Sequence, residues 1–389
     1  MKIKRSQRLS QLPPYLFAEL DRLKAEQIAK GADVISLGIG DPDQPTPPHI
    51  VAAAQKAVTN PEYHQYPSYA GMPRFREAAA AYLERRFGVS ADPGKEIVSV
   101  MGTKEGIFHL PFAFLEPGDA VLCTDPGYPV YPASTVLAGG EAISVPLTAD
   151  HDFLPDLQAI PKDVAARAKI IFVNYPNNPT SKIAPPSFYE ELIAFAKANN
   201  VIVASDVAYA EFYPDEARKT PSLLQFPGGR DVGIEFHSLS KTYNMTGWRV
   251  GFAVGHPEVV AALGQIKTNA DSGIFEAIQE AGIAAMSGDQ SCVVAMRELY
   301  ASRRSLLEAS LEEAGLKIAC SEGAFYIWIA VPEGLSSNAF AQRVLEEAAV
   351  VCTPGNGFGA AGEGYARFTL TAPEARLKEA AERIAKLKL

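Results

Sequence analysis

At 389 residues, 47% of them hydrophobic and 21% charged, the chain has the composition of a globular protein with a large buried core, long enough for two domains. Its net charge of -9, from 36 basic and 45 acidic residues, argues against a nucleic-acid partner, and no basic block opposes that reading. The basic start Met1-Lys2-Ile3-Lys4-Arg5 is not followed by a long apolar run, and no later run reaches the roughly 18 apolar residues of a membrane helix, so the expected compartment is the cytoplasm, with no membrane association. Cys123, Cys292, Cys320 and Cys352 lack C-x-x-C spacing; buried thiols are expected, and neither a disulfide framework nor a metal site.

In chain order, an apolar arm around Pro13-Pro14-Tyr15-Leu16-Phe17 leads into a helix-period pattern through Leu20, Leu23 and Ile28. Residues 34–43 read as a short strand that breaks at Gly38 and Gly40, and Gly40 is either a turn or a point of close backbone approach to a ligand. Thr46 before Pro47-Pro48 predicts a capped helix to about 58, and Phe75 opens a second amphipathic helix to about 87.

From residue 97 the texture becomes alternating strand and helix. Short apolar strands are predicted at 97–100, 120–123, 142–145, 169–173 and 201–204, with helices between some of them, such as 188–198. Such strands imply a mostly parallel α/β sheet covered on both faces, with ligands at the strands' carboxyl ends. Helices follow at about 257–267, 275–287 and 290–314, then strands near 325–330, 350–352 and 366–370 and a closing helix from about 374. The division expected is a large domain over 45–285 and a small one from 1–44 with 286–389.

The chemistry concentrates in His237-Ser238-Leu239-Ser240-Lys241-Thr242-Tyr243-Asn244-Met245-Thr246-Gly247-Trp248-Arg249. Burial and the nearby Arg249 would depress the pKa of Lys241, as an imine-forming lysine requires. Ser238, Ser240 and the forked Arg249 make an anion site suited to phosphate. Asp206, at a strand end with Tyr209 three residues on, could hold a proton on a heteroaromatic nitrogen; Asn178, in Asn174-Tyr175-Pro176-Asn177-Asn178-Pro179-Thr180, could donate to an anionic oxygen. Gly102-Thr103-Lys104 opens a helix after the 97–100 strand, an end that attracts phosphate.

Together these motifs resemble the class I/II aminotransferases, the fold-type I pyridoxal-phosphate enzymes. The resemblance runs from Gly40 to Arg367 and implies pyridoxal 5'-phosphate as cofactor, an amino acid and a 2-oxo acid as substrates, and ping-pong exchange through a Lys241 aldimine. It implies cofactor contacts for Thr103, Lys104, Tyr128 (stacking on the ring), Asn178, Asp206, Tyr209, Ser238, Ser240, Lys241 and Arg249, with Lys241, Asp206 and Tyr209 catalytic. Tyr66 matches a tyrosine reaching the neighbouring subunit's phosphate, which implies a homodimer with shared sites. Arg367 matches the arginine that grips the substrate α-carboxylate. Ser181 departs from the family, where this position is mostly glycine.

The Lys267–Phe275 stretch, Lys104 and the Tyr15 arm resemble most the subgroup that acts on LL-diaminopimelate with glutamate as amino donor, in lysine synthesis. That likeness adds Tyr15, Gly40, Lys104, Asn178 and Asn269 to Arg367 as substrate contacts. Alternatives in the same framework are alanine or aspartate aminotransferases, which share every cofactor residue, and a cofactor-dependent lyase. Outside it stand a cofactor-binding regulator, for which the N-terminal 30 residues are short and not strongly basic, and a nucleotide-binding Rossmann protein, against which the missing G-x-G-x-x-G argues.

Overall fold

The computed structural model describes Met1, residues 3–12 and residues 16–387, apart from the side chains of 16–20. The Tyr15 contact therefore lies outside the described residues.

Seven strands form the main sheet: β2 (Ile97–Val100), β3 (Ala120–Asp125), β4 (Glu141–Pro146), β5 (Ala168–Asn174), β6 (Ile202–Asp206), β7 (Gly233–Ser238) and β8 (Gly251–Gly255). Their order is β2-β8-β7-β6-β5-β3-β4. All pairings are parallel except those of β8, which runs antiparallel to β7 and β2. The reversal follows from the turn between β7 and β8, which never leaves the carboxyl end of the sheet: Ser238 pairs directly with Gly251.

Strands β5 and β6 run one and two residues beyond their apolar cores, to Asn174 and Asp206, which lie opposite each other in the ladder. A parallel sheet thus sets two polar side chains side by side at its carboxyl edge. Apolar helices cover both faces; Phe188, Leu192 and Ile193 of the helix Pro186–Asn199 pack on Ile171, Val173 and Val203, and Ile107 and Leu110 of Thr103–Phe114 pack on the opposite face with Phe172 and Phe236.

A second sheet joins β9 (Lys317–Cys320), β10 (Tyr326–Ala330), β12 (Thr353–Pro354) and β13 (Tyr365–Thr369) in the order β12-β13-β10-β9, all antiparallel. Its core includes Phe325, Ile327, Phe368 and Leu377. The early strand β1 (Ile35–Ser36) pairs in parallel with β11 (Val350–Val351), and Leu37 continues the attachment by accepting from Thr369 N at 2.9 Å. β9, β12 and the helix Ser337–Ala348 were not foreseen from the sequence.

Two local expectations change. The helix Pro48–Ala57 has Pro47 at its N-cap and no side-chain cap, because Thr46 lies one residue too far out; its hydroxyl instead donates to Asn244 O at 2.6 Å. Three cysteines are buried, but Cys292 is only half-buried. Among the described residues, no helix is long and apolar enough to cross a membrane.

Candidate active site

At the carboxyl edge of the main sheet, facing the second sheet, lies a cavity of about 450 Å³. Lys241, Asp206, Tyr209, Thr103, Lys104, Tyr128, Asn178, Ser238, Ser240, Arg249, Gly40 and Arg367, drawn from across the chain, all line it.

Lys241 sits in the short helix Leu239–Thr242 immediately after β7, where its Nζ donates to Gly40 O at 2.9 Å and lies 5.8 Å from the Phe325 ring centroid. Burial lowers its pKa to about 8, opposed by Asp41 and reinforced by Arg367 and Arg249. Desolvation therefore does most of this; Arg249, which the sequence reading named beside burial, is the smallest of the named influences. Near pH 7 such an amine is roughly 10% unprotonated, against well under 0.1% for an ordinary lysine.

Asp206 is buried, and burial raises its carboxyl to about 6 against the favourable hydrogen bonds it accepts. Those come from Tyr131 OH (3.1 Å) and Ala208 N (3.2 Å), while Asn174 Nδ2 donates to its carbonyl at 2.7 Å. Tyr209 shares a 2.9 Å hydroxyl–hydroxyl bond with Tyr326. Arg367, on β13, donates from Nη1 to Asn178 Oδ1 and from Nη2 to Gly38 O, each at 2.5 Å, and its guanidinium lies 4.2 Å over Tyr326. With Oδ1 of Asn178 accepting from Arg367, its amide Nδ2 remains as the donor.

Two glycines explain how backbone and guanidinium fit. A Cβ on Gly40 would collide with the Tyr326 hydroxyl, so glycine here lets its backbone pack closely on Tyr326. Gly102 has φ +75°, and a Cβ there would strike the Arg249 guanidinium. Gly102 also N-caps the helix Thr103–Phe114 with no side-chain acceptor, leaving the first N–H groups beside Arg249. Arg249 itself has φ +55° and donates to Thr246 O at 2.9 Å. Ser238 Oγ accepts from Ser240 N at 3.2 Å. Tyr128 packs edge-on against Tyr131, with centroids 5.9 Å apart.

Two expected residues are not among those lining this cavity. Tyr66 is 90% exposed on a separate surface depression with Pro67 and Thr268, and Asn269 is exposed on the helix Pro257–Ala270, donating to Gln265 O at 2.9 Å. Sequence reasoning missed Tyr131, Tyr326, Asn174 and Asp21, which belong to this site. Asn174 was the findable one, since it ends an apolar strand as Asp206 does.

The donor set suits a phosphorylated pyridine aldehyde: an amine of lowered pKa, a buried acid, hydroxyl and amide donors, and a helix start under an arginine, with space that glycines keep open.

Residues 32–384 match the family described as aminotransferase class I and II. The chain is 57% identical over 386 residues to an LL-diaminopimelate aminotransferase of Aquifex aeolicus, covering 99% of each. It is 55% identical over 385 residues to one from Nitratidesulfovibrio vulgaris, again covering 99% of each. Among solved structures, substrate-bound BacF from Bacillus subtilis superposes with a TM-score of 0.95 at 36% identity, covering 99% of this chain and 98% of that one. With the sheet topology and the lysine turn already in place, these likenesses establish that the chain belongs to the class I and II aminotransferases.

Proposed function

We propose that the enzyme transfers the amino group between LL-diaminopimelate and 2-oxoglutarate, with glutamate as the donor toward LL-diaminopimelate, in lysine synthesis, with pyridoxal 5'-phosphate as cofactor. The observation that carries the substrate is the 57% identity, end to end, to an enzyme of that name. When bound, the cofactor supplies an electron-withdrawing ring that stabilises negative charge on the substrate's Cα.

The chain's own groups supply the rest. Arg249, Ser238, Ser240, Thr103 and Lys104 would hold the phosphate; Tyr128 would pack on the ring. Asp206 would keep the ring nitrogen protonated, and Tyr209 and Asn178 Nδ2 would donate to the phenolate oxygen. Arg367 takes the α-carboxylate on a guanidinium already oriented by Asn178 and Gly38, a planar fork for a planar anion. Lys241 Nζ, with its lowered pKa, would take the proton from the substrate Cα and deliver it to the cofactor's C4′ carbon within the same half-reaction, and carry one the opposite way in the other.

The same reading proposes a cytoplasmic homodimer whose sites are shared: Tyr66 and Asn269, exposed and away from their own cavity, would serve the partner's. The two units would be a large one over 45–285 and a small one from 1–44 with 286–389, in keeping with β1 pairing to β11.

The test is an absorbance scan of the cofactor-loaded protein, adding LL-diaminopimelate, L-glutamate, L-alanine and L-aspartate in turn without an acceptor. Conversion to the amine form of the cofactor with the first two, and weakly with the others, is expected. Conversion with alanine or aspartate instead overturns the substrate, and failure to develop a lysine-linked cofactor band overturns the cofactor.

A further inference from the structure

Four cations line the cavity, namely Lys104, Lys241, Arg249 and Arg367, against two carboxylates, Asp206 and Asp21. Asp206 is buried at the strand end and engaged by Tyr131 and Ala208 N. Asp21 differs in every respect. It lies on the helix Leu16–Ala29, is exposed, and among the described residues no hydrogen bond or ion pair engages its carboxylate. Its neighbour Arg22 pairs with Glu26 instead.

The helix is fixed by its other side. Leu23 packs with Val34 on Leu345 and Val351 of the second-sheet unit, and two residues along a helix turn the side chain by roughly 200°, so Asp21 stands on the face away from that contact. A docked helix therefore holds an acid, unneutralised by any described residue, at the edge of a cavity rich in cations.

We infer that Asp21 receives the distal ammonium of a diamino diacid and so helps to decide which amino acid the site accepts. The inference rests on the proposed function, which supplies that substrate class. An amino acid's α-carboxylate is matched by Arg367 and its α-amino group by the chemistry at Lys241, which leaves a second ammonium as the group with no other acidic partner among the exposed lining residues. Glutamate carries its second carboxylate without that ammonium beside it, and Asp21 repels it. Only the diamino diacid offers Asp21 a cation to offset that repulsion, so removing the charge moves the two substrates of one ping-pong cycle differently, which a merely structural role would not produce.

The experiment is steady-state kinetics on the cofactor-loaded enzyme and its Asp21→Asn variant, with LL-diaminopimelate, L-2-aminopimelate (the same chain without the distal amine) and L-glutamate. One solvent-facing ion pair predicts that the KM ratio of LL-diaminopimelate to 2-aminopimelate rises up to about fivefold in the variant, while the KM for glutamate falls. Asp21→Glu, which keeps the charge, restores the wild-type ratio. Equal shifts for both pimelates, or an unchanged ratio with LL-diaminopimelate still turned over by the wild type, overturns the Asp21 role alone. A wild type that does not turn over LL-diaminopimelate overturns the proposed function, and the inference with it.

Discussion

Lys267 is predicted to be the costliest single charge to remove. Its side chain is wholly buried, and its Nζ lies 3.1 Å from Glu105 Oε2 and 2.9 Å from Asp271 Oδ2. Glu105 also binds His109 Nδ1 at 2.6 Å and accepts from Met101 N at 2.9 Å, and Asp271 Oδ1 accepts from Gly273 N at 2.7 Å. Glu105, His109 and Asp271 bring their donor atoms within 4.8 Å of one another, the spacing of a cation site, and the ammonium sits among them. Lys267→Met removes the cation and leaves two largely desolvated carboxylates facing each other. Breaking a buried pair from one side costs about 3–5 kcal/mol. With an unfolding entropy of about 2.1 cal/mol/K per residue over 389 residues, that lowers Tm by roughly 4–6 °C.

The consequence should reach the cofactor as well, because Met101 precedes Gly102 and Thr103 at the proposed phosphate-binding turn. Thermal unfolding by calorimetry, with and without cofactor, checks both points: the apo-protein Tm should fall by that amount, and the cofactor-dependent rise in Tm should shrink. A Tm within about 1 °C of wild type would show that the carboxylates are solvated after all and refute the reasoning.

Further outcomes follow from the same geometry. The Asp206 carboxyl is raised from 3.8 unfolded to about 6 folded, so it favours the folded state at low pH, and that contribution is lost as pH rises from about 4 through 6. Asp206→Asn in the cofactor-free protein should therefore stabilise by up to ~3 kcal/mol at pH 8 and little at pH 4, as urea melts at the two pH values will tell. Ser181 holds φ +68° and its hydroxyl donates to Gly323 O across the two sheets' units. Ser181→Ala keeps the strain and loses the bond, whereas Ser181→Gly loses the bond but relieves the strain, so the alanine variant should be less stable by about 1 kcal/mol in thermal melts. Lys241→Ala should abolish the lysine-linked absorbance band while cofactor still binds, and cut transamination by roughly 10³-fold or more; retained turnover would sink the assignment of Lys241 as the proton carrier.

The sequence was most legible where chemistry sits at the end of an apolar strand. Asp206, Ser238 and Lys241 follow directly from that rule, because a parallel sheet buried on both faces leaves its carboxyl edge as the place for polar groups. Arg367 needed the family resemblance, since nothing local separates a strand-edge arginine from one proposed to bind substrate. What stayed hidden depends on distant pairs. The close packing at Gly40 is set by the Tyr326 hydroxyl, far along the chain, and the Glu105–Lys267 pair spans 162 positions. Thr46 misled because its residue type suits a cap and only the backbone at Pro47 shows that it is displaced. The antiparallel β8 was illegible for a related reason: strand composition carries no sign of direction.

The network around Arg367 ties the proposed carboxylate site to the whole molecule. The guanidinium belongs to the second sheet, yet its two terminal nitrogens reach Asn178, 189 positions away in the loop after β5, and Gly38, 329 positions away in the segment after β1. Each anchor is held in turn. Gly38 O also accepts from Thr353 Oγ1 at 2.7 Å, and Asn178 N donates to Asn174 Oδ1 at 2.7 Å at the edge of the main sheet. Asp43, just beyond Gly40, is locked to Arg303 by a bidentate pair at 2.7 and 2.8 Å, and the Asn177–Ile183 loop is clasped to the second-sheet unit by Gly323 N to Ser181 O at 2.7 Å and Lys182 to Glu322 at 2.7 Å. The Arg367 fork proposed to take the carboxylate is thus oriented from both sheets' sides. Any shift of one unit against the other changes the Arg367 fork and the Lys241–Gly40 contact together, because Gly38 and Gly40 lie on the same short segment.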